Sequence, residues 1–441
     1  MDRTRSLHGA ALFVLACMPA CGGRSDLFAP EAQDCRQLPG VWSKRVGSEG
    51  GESRAADVVL HDGRVVVAGF QMDPPLVPGA PSATLMSYEE RSGKLSWSKR
   101  FGTKAGVAAF VVTSSGDIVV VGEFSGDLDL GGGPLPGAPD IQNLFLASFD
   151  DAGHHLWSKS FPLDPYGTVG VLGGGVRLAV DRHDDLVLAL NIAAPVDFGG
   201  GPLVGTGVPV AKLDAGGQHI WSKRIGSIAY PNTGVSDLKM DADGNIIITN
   251  VCQTTCSVGG DPFTGEDILV VAKLDPGGHH VWSHGFPDIE NGFLGVDPIA
   301  GDVVVVTALL YDSVDFGGGP LPPVDGGAIV KFDAGGKHVW SQNHPGLIPR
   351  IVVTEQREIV AFDGFTLFTL SPDGAADLST TFPTKNDSKL EPLDVSPAGI
   401  ASDACRVALS GDFVGSIDFG DGFLESQGYS DGFTAIVSVG P

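Results

Sequence analysis

The stretch Lys331-Phe332-Asp333-Ala334-Gly335-Gly336-Lys337-His338-Val339-Trp340-Ser341 decides the fold, because its pattern recurs along the chain. It combines a short apolar run, a glycine turn and a second run that ends in Trp-Ser. Residues 210–217 and 271–278 repeat its first half almost letter for letter. All six tryptophans precede a serine, at successive intervals of 55, 60, 64, 61 and 58 residues. One aromatic anchor in each unit of similar length indicates a repeat architecture.

Each unit contains four short apolar runs separated by Gly, Asp and Ser turns. In the unit that ends at Trp157 the runs begin at Val107, Ile118, Leu144 and His154. Runs of this kind predict consecutive antiparallel strands, which we letter A to D. The second run is apolar at successive positions in every unit, which indicates a strand buried on both faces. Four strands in each radial repeat predict a β-propeller blade.

The sequence predicts an all-β fold, a seven-bladed β-propeller of four-stranded antiparallel blades over residues 37–441. The last blade lacks a strand, whereas residues 37–45 form a strand D with no blade before it. We therefore expect the N- and C-terminal strands to close the ring. Eight blades is the alternative, because the sixth unit matches the repeat pattern poorly: it lacks the glycine-rich insert and has Leu378 in place of tryptophan. The predicted blades span about residues 43–97, 98–157, 158–221, 222–282, 283–340, 341–378 and 379–441, the last closed by residues 37–45.

The six tryptophans are expected to wedge between blades, since a buried indole contributes a large apolar area. The alternative, a set of sugar-stacking platforms, would require them to converge on one site. The residues concerned are Trp42, Trp97, Trp157, Trp221, Trp282 and Trp340.

The six cysteines divide into two in the leader and four in the predicted propeller. The four allow three pairings. Cys252 and Cys256 can pair locally at the end of a strand B, and ring closure would bring Cys35 close to Cys405. Disulfides imply an oxidising compartment.

Residues 1–21 form an export signal, with Arg3 and Arg5 before an apolar stretch too short to span a bilayer. The leader resembles bacterial lipoprotein signals, in which small residues precede a lipidated cysteine. Cys17 fits this pattern slightly better than Cys21, because Pro19 lies two residues before Cys21. Neither has aspartate next to it, so the resemblance implies an outer-membrane lipoprotein, with residues 22–36 as a flexible tether.

The formal net charge of −25 argues against nucleic acid, which calls for a basic surface. A negative surface suits a soluble exported domain and is compatible with cation binding.

A glycine-rich insert between strands B and C is the main candidate for function. Asp197–Leu203 and Asp315–Leu321 are its clearest copies. One interpretation is a rim that binds calcium or a polar ligand on one face of the ring. The other is a structural turn in which aspartate accepts backbone N–H groups, because one or two carboxylates per loop are few for calcium. The candidate rim residues are Asp127, Asp129, Asp197, Asp315 and Asp418.

Two other patterns are interpreted as structural. His155, His219, His280 and His338 lie in different blades, so they would not chelate one metal ion. The run Asp241–Asn245 resembles the start of an EF-hand loop but falls at an A-to-B turn. No serine elbow, zinc spacing or catalytic carboxylate pair stands out.

The phrase Lys331–Trp340 is similar to the tryptophan-docking repeats of quinoprotein-like propellers. Its alternation with strand B and Asp-Phe-Gly-Gly-Gly inserts looks more like the SBBP-type propeller repeats of bacterial surface proteins. The resemblance implies the fold over residues 37–441 and says little about function. A quinone-dependent dehydrogenase would imply a quinone and calcium, but no vicinal cysteine pair or quinone-binding set is present. An eight-bladed outer-membrane assembly lipoprotein is a second analogue.

Three functions follow as hypotheses. The first is a non-enzymatic, monomeric, lipid-anchored propeller that binds a protein or glycan through its insert-bearing face. The second is a periplasmic scaffold in envelope assembly. The third, a carbohydrate-active or quinoprotein-like enzyme, would gain support from perturbed carboxylates at the mouth of the central channel.

Overall fold

A computed structural model describes residues 41–74, 81–137, 141–163, 175–192, 194–205, 207–226, 234–252, 255–265, 267–307, 312–324, 326–346, 350–385, 394–403 and 406–438. The leader, the tether and the predictions for Cys17, Cys21, Cys35 and Cys405 lie outside these residues.

The described residues form seven four-stranded antiparallel sheets, in agreement with the predicted all-β class and blade size. We number them along the chain and keep the letters A to D for their strands. The first three sheets are sheet 1 (Glu52–His61, Arg64–Met72, Ser82–Glu89, Leu95–Phe101), sheet 2 (Ala105–Val112, Ile118–Phe124, Asn143–Phe149, His155–Pro162) and sheet 3 (Val176–Val180, Leu186–Leu190, Val208–Leu213, His219–Ile225). The next three are sheet 4 (Gly234–Met240, Ile246–Cys252, Ile268–Leu274, His280–Phe286), sheet 5 (Gly292–Val296, Val303–Thr307, Gly326–Phe332, His338–Pro345) and sheet 6 (Arg350–Val353, Ile359–Phe362, Thr366–Leu370, Ala376–Thr381). Sheet 7 consists of Asp394–Ser402, Arg406–Val414, Asp431–Ser438 and Trp42–Val46.

Sheet 7 takes its strand D from the other end of the chain. Trp42 pairs with Ile436 and Val46 pairs with Gly432, so the first described strand lies beside the last. In the other six sheets the four strands follow each other in sequence.

The first strands of the sheets lie against one another in chain order. Strand A of each sheet contacts strand A of the next, and strand A of sheet 7 contacts strand A of sheet 1. Radially arranged four-stranded sheets of this kind make a β-propeller. Apolar residues of strands B and C fill the spaces between sheets, as Leu188 and Ile248 do with no exposed surface.

Each predicted tryptophan wedge lies on the glycine turn between strands C and D of the following sheet. A Cβ added to Gly336 would stand 2.7 Å from the Trp282 ring, whose Nε1 donates to Ala334 O at 3.2 Å. Such close approach requires glycine, which also adopts the positive φ of +85° found here. The six pairs are Trp42 with Gly93, Trp97 with Gly153, Trp157 with Gly217, Trp221 with Gly278, Trp282 with Gly336 and Trp340 with Gly374.

The inserts between strands B and C form short ribbons at the opposite end of the sheets from these turns. The paired strands are Leu128–Asp129 with Pro134–Leu135, Val314–Asp315 with Pro320–Leu321, and Ser416–Asp418 with both Phe423–Glu425 and Thr384–Lys385. Sheet 4 carries the predicted Cys252–Cys256 disulfide at the start of its insert.

No helix in the described part of the chain is long and apolar enough to cross a bilayer.

Candidate functional site

Four charged side chains occupy equivalent positions on the innermost strands. Asp57, Arg177, Asp237 and Arg350 belong to strand A of sheets 1, 3, 4 and 6. The corresponding residues of sheets 2, 5 and 7 are Ala109, Phe293 and Gly399. All seven face the same position of strand B, where the partners are Ala68, Val121, Ala189, Thr249, Val306, Phe362 and Ser410. We call these seven strand A residues the inner belt.

Bulges in strand A shape the inner belt. In sheets 1, 2, 4 and 7 the pairing with strand B skips one residue immediately before the belt position. A bulge leaves the extra residue unpaired and re-aims its neighbours. The skipped residues Ser236 and Ala398 present the carbonyl groups that the neighbouring arginines use.

Belt residues reach from one sheet to the next. Arg177 Nε donates to Ser236 O at 2.7 Å, and Arg350 Nε donates to Ala398 O. Asp237 Oδ2 accepts from Leu294 N at 2.9 Å. These bonds join sheet 3 to 4, 6 to 7 and 4 to 5, so the belt fixes inner strands to each other.

Two further contacts link belt residues of neighbouring sheets. The Arg350 guanidinium lies over the Phe293 ring at 5.3 Å, which links sheet 6 to sheet 5. A Cβ on Gly399 would stand 2.3 Å from Asp57 Oδ1, so sheet 7 approaches sheet 1 at this point. Only a residue without a side chain fits there.

The four belt charges are half-buried, so each keeps part of its surface accessible. Burial raises the pKa of Asp57 against the opposing fields of Lys239 and Arg350. Burial also lowers the pKa of Arg177 and of Arg350, and the charge of Arg177 lowers that of Arg350 further. The groups therefore share one electrostatic environment.

A second perturbed carboxyl lies on strand B of sheet 7. Burial raises the pKa of Asp412, and the nearby charge of Arg54 opposes the shift. Ser430 Oγ donates to Asp412 Oδ2 at 3.4 Å. Asp57 and Asp412 are thus two carboxyls whose protonated forms are favoured by their surroundings.

The predicted rim aspartates accept hydrogen bonds inside their own turns. Asp197 Oδ1 accepts from Gly199 N at 2.7 Å and Gly201 N at 3.0 Å. Asp129, Asp315 and Asp418 make the same pair of bonds to the glycines two and four residues later. Asp127 is exposed and stands outside this turn. The structure therefore gives these carboxylates a role in the turn, and a binding role for the rim stays a prediction.

Histidines hold the inserts against their own sheets. A Cβ on Gly200 would stand 2.2 Å from His219 Cε1, and His219 Nε2 is 2.9 Å from Ser222 Oγ. His155, His280 and His338 pack in the same way on Gly132, Gly260 and Gly318. This packing accounts for the spacing of His, Trp and Ser in sheets 2 to 5.

The rim residues do not fit a calcium ion. Each turn supplies one carboxylate whose Oδ1 is engaged by two backbone N–H groups, whereas calcium takes six to eight oxygens. The described residues contain no group of three or more His, Cys, Asp and Glu side chains able to hold a metal.

A shallow cleft of about 370 Å³ opens between strand D of sheet 4 and the insert of sheet 5. His284 occupies the position that Lys159 and Lys223 hold in the preceding sheets. Its Nε2 lies 2.6 Å from Gly336 O, much as Lys159 Nζ donates to Gly217 O at 2.6 Å. The cleft therefore arises where a shorter side chain replaces lysine in the same bond.

Sequence reasoning missed the inner belt. The available signal was a charge inside an otherwise apolar strand A, as in Val176-Arg177-Leu178. The belt residues differ in type from sheet to sheet, and the bulges shift their spacing from the tryptophans, so the repeat pattern does not align them.

No protein-family model and no curated protein matches this chain. Among solved structures, it is similar to a quinohemoprotein alcohol dehydrogenase from Comamonas testosteroni, with 12% identity, 90% of this chain and 76% of that chain covered, and a TM-score of 0.42. It is also similar to BamB from Moraxella catarrhalis, with 12% identity, 89% and 96% covered, and a TM-score of 0.36. The Neurospora crassa Pan2 WD40 domain gives 10% identity, 89% and 95% covered, and a TM-score of 0.44. At these values the likenesses carry no argument about function, and the fold assignment rests on the sheets themselves.

Proposed function

We propose that this chain is an exported, lipid-anchored propeller that acts as a non-enzymatic binding or scaffold module at the cell envelope. Its seven blades would form a closed ring, completed by the strand Trp42–Val46 in sheet 7. The pairing of that strand with Asp431–Ser438 and the contact between strands A of sheets 7 and 1 support closure.

The inner belt is the observation that carries a binding role. Burying four charged side chains in the inner strands costs desolvation free energy, which a ring built only for stability would avoid. Their bonds to neighbouring sheets recover part of this cost. Charged groups that keep some accessible surface at the axis of a ring are suited to contact a ligand.

The proposed location is the outer membrane, and the proposed partner is a protein or glycan at the envelope. It rests on the leader, where Cys17 or Cys21 would carry the lipid. The second pairing, Cys35 with Cys405, would suit the same oxidising compartment.

Lipid labelling and protease treatment of intact cells test the location of the protein and the side of the outer membrane that it faces. We expect palmitate labelling of the full chain, lost in either Cys17→Ser or Cys21→Ser, and loss of the protein from unbroken cells if it faces outward. Protection until the outer membrane is opened would favour the periplasmic scaffold instead. A chain that is never lipidated and stays in the cytoplasm would refute the proposal.

Crosslinking to a partner tests whether the inner belt or the rim aspartates form the binding surface. Crosslinking of the full chain in its host is compared for the wild type, Arg177→Gln and a rim variant with Asp127, Asp197, Asp315 and Asp418 changed to alanine. Loss of the partner only in the rim variant would move the binding surface to the inserts. Unchanged capture in the rim variant would exclude them.

An enzyme is the second candidate, favoured by the raised pKa values of Asp57 and Asp412. A carboxyl whose pKa is raised by burial is better suited to act as a general acid. Turnover of any polysaccharide in a panel, abolished by Asp57→Asn or Asp412→Asn and kept by the exposed control Asp73→Asn, would establish it. Turnover that survives both substitutions would remove these carboxyls from consideration.

A further inference from the structure

We propose that the cleft between strand D of sheet 4 and the insert of sheet 5 binds a neutral hexose unit. This cleft lies at an outer strand, apart from the inner belt, so the inference goes beyond the binding role of the belt. Its volume of about 370 Å³ is within the range of small-molecule sites. Aromatic rings line it together with acidic, basic and glycine residues, a mixture that suits a ligand with both apolar C–H groups and hydroxyls.

The cleft depends on one residue of strand D in sheet 4. His284 occupies the position that Lys159 and Lys223 hold in sheets 2 and 3. Each of these lysines donates from Nζ to the carbonyl oxygen of the turn glycine in the next sheet. The His284 Nε2 atom makes the equivalent contact with Gly336 O at 2.6 Å. Because the imidazole replaces a longer side chain, less of the next sheet is covered at this junction.

Aromatic rings form the apolar wall of the cleft. The His284 ring lies nearly parallel to Phe332, with 5.2 Å between centroids and 13° between planes. Phe286 lies within 21° of Phe332, and Phe316 of the insert packs on Phe286 at 4.8 Å. The three phenylalanines are at most 6% exposed, so the core of the protein holds this wall in place. The C–H groups of a sugar ring can pack against such a wall.

Two charged side chains at the cleft have bonding capacity left over. Asp315 Oδ1 accepts from Gly317 N and Gly319 N, whereas Oδ2 accepts no hydrogen bond in the part of the chain that the structure describes. Lys337 is exposed, and its ammonium group has no partner among the same residues. The cleft therefore offers one carboxylate acceptor and one ammonium donor, and both can bond to hydroxyl groups.

The opposite charges of these two side chains favour a neutral ligand. An anion attracted by Lys337 would be repelled by Asp315, and the reverse holds for a cation. A hexose carries no charge, and its hydroxyls both donate and accept, so it can use both groups at once. Gly317 and Gly336 also line the cleft, and the lack of side chains there lets a ring approach the backbone.

Saturation-transfer NMR of the full chain in detergent tests the inference. The probes are the methyl glycosides of glucose, galactose, mannose and N-acetylglucosamine. We expect transfer to at least one of them, with a dissociation constant on the order of 1 mM, because a shallow cleft makes few contacts with so small a ligand.

Two substitutions separate this cleft from the rest of the surface. His284→Lys introduces the side chain that sheets 2 and 3 already accommodate, so the variant should fold and should bind the sugar about tenfold more weakly or not at all. Asp315→Asn keeps an acceptor for the insert turn and removes the charge, and it should weaken binding about threefold. Asp197→Asn is the matched control, because Asp197 makes the same two turn bonds in the insert of sheet 3, next to Lys159. This control should bind as the wild type does.

The outcomes also separate two sources of the hexose. Tighter binding of a trisaccharide than of its methyl glycoside would identify a glycan chain, whereas binding of the glycoside alone would identify a free sugar. If His284→Lys does not fold, the comparison of Asp315→Asn with Asp197→Asn decides. No transfer to any probe, unchanged transfer in both cleft variants, or equal losses in Asp315→Asn and Asp197→Asn would overturn the inference. Lipid labelling and crosslinking of Arg177→Gln do not involve the cleft, so the two proposals can fail separately.

Discussion

The junction between sheets 4 and 5 and the junction between sheets 6 and 7 are built differently. At the first, Trp282 lies on the turn glycine Gly336 of the next sheet and is 8% exposed. At the second, strand D carries Leu378 instead, which is 39% exposed. Strand D of sheet 7 comes from the start of the chain, so no C-to-D turn joins it to strand C and receives a tryptophan.

Both junctions have a contact at the insert end of the sheets. Phe316 of the sheet 5 insert packs on Phe286 at 4.8 Å between ring centroids. Phe419 of the sheet 7 insert packs on Phe382 at 5.0 Å in the same way. The junction between sheets 4 and 5 therefore has two separate contacts, one at each end, whereas the junction between sheets 6 and 7 has only the contact at the insert end. The inserts are thus part of what holds neighbouring sheets together.

Removing a docked tryptophan should have the largest effect. Trp282→Ala is expected to lower the free energy of unfolding by about 3–5 kcal/mol, because it leaves a cavity under Gly336. Leu378→Ala, on the exposed counterpart, should cost less than about 1 kcal/mol. Chemical denaturation followed by circular dichroism compares the two. Equal losses would mean that the tryptophan dock contributes no more than an exposed leucine.

The junction between sheets 7 and 1 should depend on pH. Glu90, whose carbonyl accepts from Trp42 Nε1, has its pKa raised to about 7 by burial and by a hydrogen bond with Asp403, although Arg406 opposes the shift. The folded state therefore binds this proton more tightly than the unfolded chain does. Its contribution, on the order of 2–3 kcal/mol, should be full below pH 4.5 and lost as pH rises through about 7.

Thermal unfolding between pH 4.5 and 7.5 measures this dependence. Glu90→Gln should flatten the slope, because the side chain no longer titrates. Asp181 and Asp241 do not titrate within this pH range. A hydrogen bond from Lys212 lowers the pKa of Asp181, and one from Lys273 lowers that of Asp241, in both cases against the effect of burial. Their contribution to stability is therefore lost only in more acidic solution. An unchanged slope in Glu90→Gln would assign the dependence to another group.

A methyl group added beneath a docked indole should have a smaller effect. In Gly336→Ala the new Cβ would meet Trp282 at 2.7 Å and the backbone would keep a φ of +85°. Gly63→Ala is the matched control, with a φ of +73° and no atom within 4 Å. We expect Gly336→Ala to cost about 1–3 kcal/mol more than the control, since overpacking adds to backbone strain. Equal melting temperatures would show that the Trp282 ring moves away from the added methyl group at no measurable cost in stability.

The smallest effect should come from the insert turns. Asp315→Asn keeps an oxygen acceptor for Gly317 and Gly319 and should change stability by less than about 0.5 kcal/mol. Asp315→Ala should cost about 1 kcal/mol, because both N–H groups lose their acceptor. If the asparagine variant loses as much as the alanine variant, the charge itself matters and the ion-binding rim regains support.

The sequence predicted the repeated sheets because their signals are local and recur. The Trp-Ser spacing and the apolar strand B runs place the boundaries of most sheets, and the unpaired strand before residue 46 predicts its pairing in sheet 7. The Cys252–Cys256 bridge follows from short spacing and is confirmed. The inner belt could not be found in this way, because it depends on bulge register and on contacts between residues 48 to 59 positions apart in the sequence.

The rim aspartates illustrate an ambiguity that the sequence leaves open. An aspartate two residues before a glycine suits both a tight turn and a ligand site, and the sequence cannot separate the two uses. The distances from Asp197 Oδ1 to the backbone nitrogens assign it to the turn.

The pairing of Trp42–Val46 with Asp431–Ser438 also sets an order of events during folding. The strand made first has no partner until almost four hundred further residues have been synthesised. Six sheets can form from neighbouring segments as the chain emerges, whereas sheet 7 has to wait for its most distant contact, which is intrinsically slow. Until then sheet 7 exposes an open strand edge, so a chain interrupted before residue 431 retains a surface on which another chain could pair.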